Sequence, residues 1–76
     1  MNPIDKEKIS AEFGSFLREA REKHGLYQAD IAEKIGVSRS YYAYIENGQR
    51  EIYFPLAINI CRVLNLDIAE FINRLK

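Results

Sequence analysis

The stretch that decides the fold is Gln28-Ala-Asp-Ile-Ala32-Glu-Lys-Ile-Gly36-Val-Ser-Arg-Ser-Tyr-Tyr42-Ala-Tyr-Ile45-Glu-Asn-Gly48. Ile31, Ala32 and Ile35 recur at helical spacing, with Asp30, Glu33 and Lys34 turned to solvent, so residues 28–35 predict a short amphipathic helix. Gly36 closes it and lets the chain reverse. Ser38 is a good N-cap for a further helix, which runs to about Asn47 before Asn47-Gly48 breaks it. Small Ala32 sits where the two helices would cross.

Working outward, Phe13, Phe16, Leu17 and Ala20 form one buried stripe of a preceding helix, extended backwards by Ile9. That helix starts near Asp5 or Ser10 and ends at Lys23, with Lys23 and His24 in its last turn and Gly25 as a left-handed stop. Leu26 then plugs the core. On the other side, Phe54-Pro55 suits the first turn of a fourth helix carrying Leu56, Ala57, Ile60, Cys61, Val63 and Leu64. Asn65 fits a left-handed end, since asparagine tolerates that conformation better than most residues. Asp67-Ile-Ala-Glu70 has the form of a capping box opening a fifth helix, about residues 67–75, with Ile68, Phe71, Ile72 and Leu75 as its apolar stripe. No period-2 strand pattern, repeat or low-complexity segment is present. The expectation is an all-α fold of five helices in one domain spanning residues 1–76.

The bulk composition narrows the function classes. A chain of 76 residues has room for one small core, and 47% hydrophobic residues can fill it. The lone Cys61 excludes an intrachain disulfide and a cysteine-based zinc cluster, and suits a reducing, cytoplasmic setting. No apolar run approaches the roughly 20 residues that span a bilayer, and the N-terminus lacks a signal-peptide pattern. With 11 basic and 11 acidic residues the chain has no general basic field, which counts against non-specific nucleic-acid binding. A specific reader needs positive charge only on its contacting face. Between Val37 and Arg50 the charges are Arg39, Glu46 and Arg50, so that face becomes locally basic if Glu46 turns inward.

A turn of about 100° per residue places Tyr42 and Ile45 on the side of the third helix that packs on the second. The opposite face carries Ser40, Ala43, Tyr44 and Asn47, with Arg39 on its edge. These residues suit the second helix of a helix-turn-helix, which lies in the major groove of DNA. Ser40 and Tyr44 can hydrogen-bond base edges or phosphates, Ala43 can meet a thymine methyl, and Arg39 can fork onto guanine or grip a phosphate. The N-terminus of the second helix offers N–H groups to a phosphate, with Gln28 beside it.

Other residues have plainer roles. Tyr42 reads as core. Tyr41 lies on the flank, where packing and phosphate contact are both open to it. Arg50 is either a phosphate contact or a solvated loop charge. Without DNA, Tyr44 would be an exposed aromatic at a protein interface. His24 suits a helix end and Cys61 a buried apolar position. No nucleophile, base and orienting group converge, and no metal-ligand cluster is present, so no enzyme activity, cofactor or metal is expected.

From about Phe13 to Phe71 the chain resembles the phage-repressor and Cro type of helix-turn-helix regulator, the xenobiotic-response-element family. The resemblance is carried by Gly25-Leu26, Gln28, Ala32, Gly36-Val37, Ile45 and Glu46-Asn47-Gly48. It implies a lambda-repressor-like DNA-binding domain in which Ser38, Arg39, Ser40 and Tyr44 occupy base-reading positions. Gln28 and Asn47 would hold phosphates. Arg21 would pair with Glu46, tying the first helix to the end of the third and removing a repulsion from DNA. Two departures stand out. Tyr27 replaces the usual capping residue, though its hydroxyl can reach a phosphate, and the connection Glu51-Ile-Tyr-Phe54 is unusually apolar. Ile52, Tyr53 and Phe54 are expected over the core, with a subunit contact as the alternative.

With the fifth helix reaching almost to the last residue, neither a ligand-sensing nor a catalytic domain is expected. A short reader generally needs a dimer on two half-sites about 34 Å apart to bind usefully. Ile68, Phe71, Ile72 and Leu75 exceed what one such helix buries, so they are the expected homodimer surface. The function expected is a sequence-specific regulator of phage, mobile-element or restriction-modification controller type. It would bind a palindromic double-stranded operator and block or contact RNA polymerase. The rivals are an antitoxin that also neutralises a protein, and a helix-turn-helix used purely for protein interaction.

Overall fold

Asp5 sets the start of the longest helix. In a computed structural model that describes residues 2–76, the Asp5 carboxylate accepts a 2.9 Å hydrogen bond from the Glu7 N–H, and α1 is Lys6–Lys23. Of the two starts the sequence allows, Asp5 is the one used; Ser10 lies inside the helix. At the far end Gly25 has φ 68°, and the Leu26 N–H returns to the Arg21 carbonyl at 3.1 Å. His24 adds a tie that its position near a helix end did not disclose. Its Nε2 lies 3.1 Å from the Leu64 carbonyl oxygen, joining the end of α1 to the end of a distant helix.

The remaining helices are α2 (Gln28–Ile35), α3 (Arg39–Glu46), α4 (Phe54–Val63) and α5 (Ile68–Arg74). Tyr27 gives α2 no side-chain cap. Asp30 offsets that by accepting a 2.7 Å bond from the Tyr27 N–H. Gly36, at φ 76°, turns the chain into α3, whose N-cap Ser38 accepts a 3.0 Å bond from the Tyr41 N–H. Asn65, with φ 55°, takes the left-handed position after α4. Asp67 caps α5 through the Ala69 N–H at 2.9 Å, one residue short of a full capping-box reach. Among the described residues there are five helices and no strand; the fold is all-α and lambda-repressor-like.

The core is common to all five helices. Phe13, Leu17, Ile31, Tyr42, Ile45, Ile60 and Leu64 are its largest fully enclosed side chains. Ala32, on the inward side of α2, is buried. A close approach comes from Gly14. A Cβ there would lie 2.3 Å from the Glu46 carbonyl oxygen and 2.6 Å from that of Ile45. Glycine in mid-helix costs about 1 kcal/mol relative to alanine; here it lets α1 run directly against the C-terminal end of α3.

The apolar stripe of α5 departs from expectation. Phe71 is buried in its own core, edge-to-face on Phe13 at 4.9 Å between ring centroids and 5.8 Å from Phe16. Phe71 is therefore removed from the dimer surface assigned to it. The physical reason is the pair of rings that α1 presents one turn apart, which a third aromatic completes with favourable edge geometry. Ile68 and Leu75 are half-buried against the same core, and Ile72 alone of the four stands open, at 54% exposure. The connection before α4 departs the other way. Ile52 packs on the core, but Tyr53 and Phe54 are 65% and 69% exposed and do not cover it.

Candidate nucleic-acid interface

Helix α3 has two unlike faces. Tyr42, Ile45 and Glu46 are buried, while Arg39, Ser40, Tyr44 and the flanking Ser38 and Asn47 are exposed. Ala43 and Tyr41 are half-buried at the boundary, and Tyr41 packs against the core. The open face thus presents a guanidinium, two hydroxymethyl groups, a methyl and a phenol within one short helix.

The buried end of α3 explains how that face escapes its one acid. The Glu46 side chain is fully enclosed, and Arg21 from α1 grips it with two bonds, Nε to Oε2 at 2.6 Å and Nη2 to Oε1 at 3.0 Å. Arg21 also donates to the Leu26 carbonyl at 2.8 Å, so its fork is fixed on both sides. Gln28 of α2 donates to Oε1 at 3.1 Å, and Arg18 Nε lies 3.5 Å from the same oxygen. Burial alone would raise the pKa of this carboxyl. Its bonds from Arg21, then Gln28, outweigh that and hold it below the ordinary carboxylate range. Arg21 is reciprocally raised by its bond to Glu46. Burial, then the nearby Glu46 carboxylate, push the Tyr42 phenol far above its usual ionisation range.

The consequence is electrostatic. Glu46 is the only acid between Val37 and Arg50, and its charge is matched inside the protein. Arg39 and Arg50 remain as the charges beside the exposed face. Arg39 is partly oriented: its Nη1 lies 3.4 Å from Gln28 Oε1, so Gln28 bridges Glu46 and Arg39. Arg50 lies over the Tyr44 ring, its guanidinium carbon 5.7 Å from the centroid. Arg21, Tyr27, Gln28, Ala29 and Arg39 line a shallow concavity at the N-terminus of α2.

Two contributors escaped the sequence reading. Arg18 donates to the Asn47 side-chain oxygen, clamping the end of α3 from α1. Gly14, Arg18 and Arg21 fall at i, i+4 and i+7, one face of α1, so helical spacing held a usable signal. The contact of that face with α3 was the missing piece.

The match to known proteins now has a structural setting. The Helix-turn-helix family profile matches residues 17–71. The chain belongs to the helix-turn-helix family of DNA-binding transcriptional regulators. It is 37% identical over 54 residues to an HTH-type transcriptional regulator of Archaeoglobus fulgidus, covering 71% of this chain and 77% of the relative. It is 35% identical over 63 residues to an HTH-type transcriptional regulatory protein of Thermococcus kodakarensis. That alignment covers 83% of this chain and only 20% of the longer relative. Among solved structures, the restriction-modification controller protein C.AhdI from Aeromonas hydrophila superposes with a TM-score of 0.74 at 33% identity. The match covers 80% of this chain and 92% of that one. The clp gene regulator ClgR from Corynebacterium glutamicum superposes with a TM-score of 0.81 at 25% identity, covering 95% and 72%.

Among the described residues no group of His, Cys, Asp and Glu is placed to hold a metal ion, and no helix is long and apolar enough to cross a membrane. Burial pushes the Cys61 thiol up, away from the reactive thiolate.

Proposed function

We propose that this regulator, as a single domain of residues 1–76, binds a palindromic DNA operator as a homodimer with α3 in the major groove. The observation that carries this is the enclosed Glu46, whose pairing with Arg21 leaves Arg39, Ser40, Ala43 and Tyr44 as an open face without an acid. In this reading Ser38, Arg39, Ser40, Ala43 and Tyr44 face base edges. Tyr27, Gln28, Tyr41 and Asn47 take the flanking phosphates, helped by the positive end of α2. Gln28 already donates one amide hydrogen to Glu46 and would use the other for that contact, whereas Asn47 only accepts from Arg18 and keeps both amide hydrogens for it. Occupying the operator would block or recruit RNA polymerase, and in this reading the protein works in the cytoplasm.

The dimer contact requires a different surface from the whole α5 stripe, because Phe71 is internal. Ile72, with the exposed Tyr53 and Phe54, is what remains for a second copy. The likeness to a restriction-modification controller favours that regulator type over an antitoxin or a pure interaction module.

Selection of bound duplexes from a randomised pool at moderate salt tests the proposal. A two-fold-symmetric site with half-sites about 34 Å apart is the expected result. Weak, salt-sensitive binding without enrichment would sink it.

A further inference from the structure

We propose that Arg50 is a base-reading residue positioned by the Tyr44 ring, and that its target is a guanine beside the base pair facing Tyr44. The inference rests on the DNA-reading face proposed above and assigns it one further specificity determinant. It also replaces the expectation of a phosphate contact for Arg50.

The placement begins in the backbone. After α3 the Gly48 N–H returns to the Ile45 carbonyl at 3.1 Å, and the Gln49 N–H to the Tyr44 carbonyl at 2.9 Å. These paired bonds fold the chain back beside Tyr44. Gly48 has φ 72°, and a Cβ there would stand 2.8 Å from the Ala11 Cα, so the turn is seated tightly on α1. One residue beyond Arg50, Glu51 is held by Lys6 at 3.2 Å. Arg50 therefore leaves from just beyond a turn seated on α1, and the acid next to it is directed towards α1.

From that origin the guanidinium reaches the Tyr44 ring, at 5.7 Å from carbon to centroid. Tyr44 is 43% exposed and shares the outward face with Ser40. An arginine held over that ring lies beside the outward face of α3. A phosphate clamp would instead sit at the flank, where Tyr41 is. The attraction of the charge for the ring face consumes no N–H donor, so two parallel donors of the guanidinium can match guanine O6 and N7. Lysine cannot supply that fork. The ring lowers the freedom Arg50 would otherwise lose on binding, which is how a loop arginine becomes selective.

The test uses the full chain and the duplex recovered by selection. Dissociation constants are measured by fluorescence anisotropy with each base pair of one half-site changed in turn. Arg50→Ala is expected to reduce discrimination at one guanine position by about tenfold, the order of one good bidentate contact. Tyr44→Ala should reduce discrimination at that same position, whereas Tyr44→Phe, which keeps the ring, should retain it. Arg50→Lys should lose the preference but keep the salt dependence. Uniform weakening on every duplex by Arg50→Ala, with the salt slope reduced by about one, would assign Arg50 to a phosphate and overturn the proposal. Full guanine discrimination in Tyr44→Ala would overturn it too. A wild-type chain that enriches no duplex defeats the parent reading and this one together, and is seen before any variant is made.

Discussion

The junction of α1 with α3 and the junction of α1 with α5 are built by opposite means. The first is organised around an ion pair. Glu46 is enclosed by Arg21, Gln28 and Arg18, and Gly14 brings the two backbones into contact. The second is organised around aromatic packing, with Phe71 against Phe13 and Phe16 and only the exposed Arg74–Glu19 pair at its rim. Apolar packing supplies free energy but tolerates small shifts; a charge gripped by a planar fork fixes distance and angle. The helix proposed to read DNA is the one held by polar geometry. The helix held by packing presents Ile72 at the surface, where no such accuracy is needed.

The comparison is broken most severely by leaving Glu46 buried without its partner. Arg21→Met should cost about 3–5 kcal/mol and lower the thermal midpoint by roughly 15 °C or more, measured by helical circular dichroism. Replacing both residues, Arg21→Met with Glu46→Leu, should recover most of that stability, since an apolar pair of similar volume can match a buried ion pair. The double variant should nonetheless bind its operator less selectively, because Gln28 and Arg39 lose their anchor. Phe71→Ala should cost a similar 3–5 kcal/mol through the cavity it leaves, whereas Ile72→Ala should stay within about 0.5 kcal/mol. Equal, small effects from both would mean that Phe71 is not part of the core.

Gly14→Ala is next in size, at about 1–3 kcal/mol, because the new methyl meets carbonyl oxygens that cannot move independently of α3. Acid titration sharpens the electrostatic half. The Glu46 pKa is lowered in the folded protein, so its stabilising contribution is complete above the ordinary value of 4.5 and is lost as pH falls through the folded value. Urea midpoints should therefore decline as the pH drops below about 4.5, and part of that decline should vanish in Glu46→Gln. The smallest effect on stability belongs to Ile72→Asp. It should leave the thermal midpoint nearly unchanged while shifting sedimentation from dimer to monomer. A dimer that persists in Ile72→Asp and in Tyr53→Ser/Phe54→Ser would place the contact elsewhere.

Much of this was legible in the chain because local chemistry decided it. Ser38, Gly36, Gly25, Asn65 and Asp67 mark helix ends through backbone preferences that need no tertiary partner. The helical period separated Tyr42 and Ile45 from Ser40 and Tyr44. What periodicity could not show was which of two apolar faces finds a neighbour. Phe71 and Ile72 are adjacent in one stripe, and only the position of Phe13 and Phe16 decides between them. Tyr53 and Phe54 failed for the same reason, since an apolar residue in a connection carries no sign of which side faces the core. Arg18 and Gly14 depend on how α1 crosses α3, a relation between segments more than 25 positions apart.

The central proposal is that the open face of α3 reads bases while the buried network beneath it only holds that face in place. The direct measurement is duplex selection with Arg39→Ala/Ser40→Ala, alongside its thermal midpoint. The account predicts a midpoint close to wild type and loss of the enriched site. Enrichment of the same site with the same preference by the double variant would contradict it.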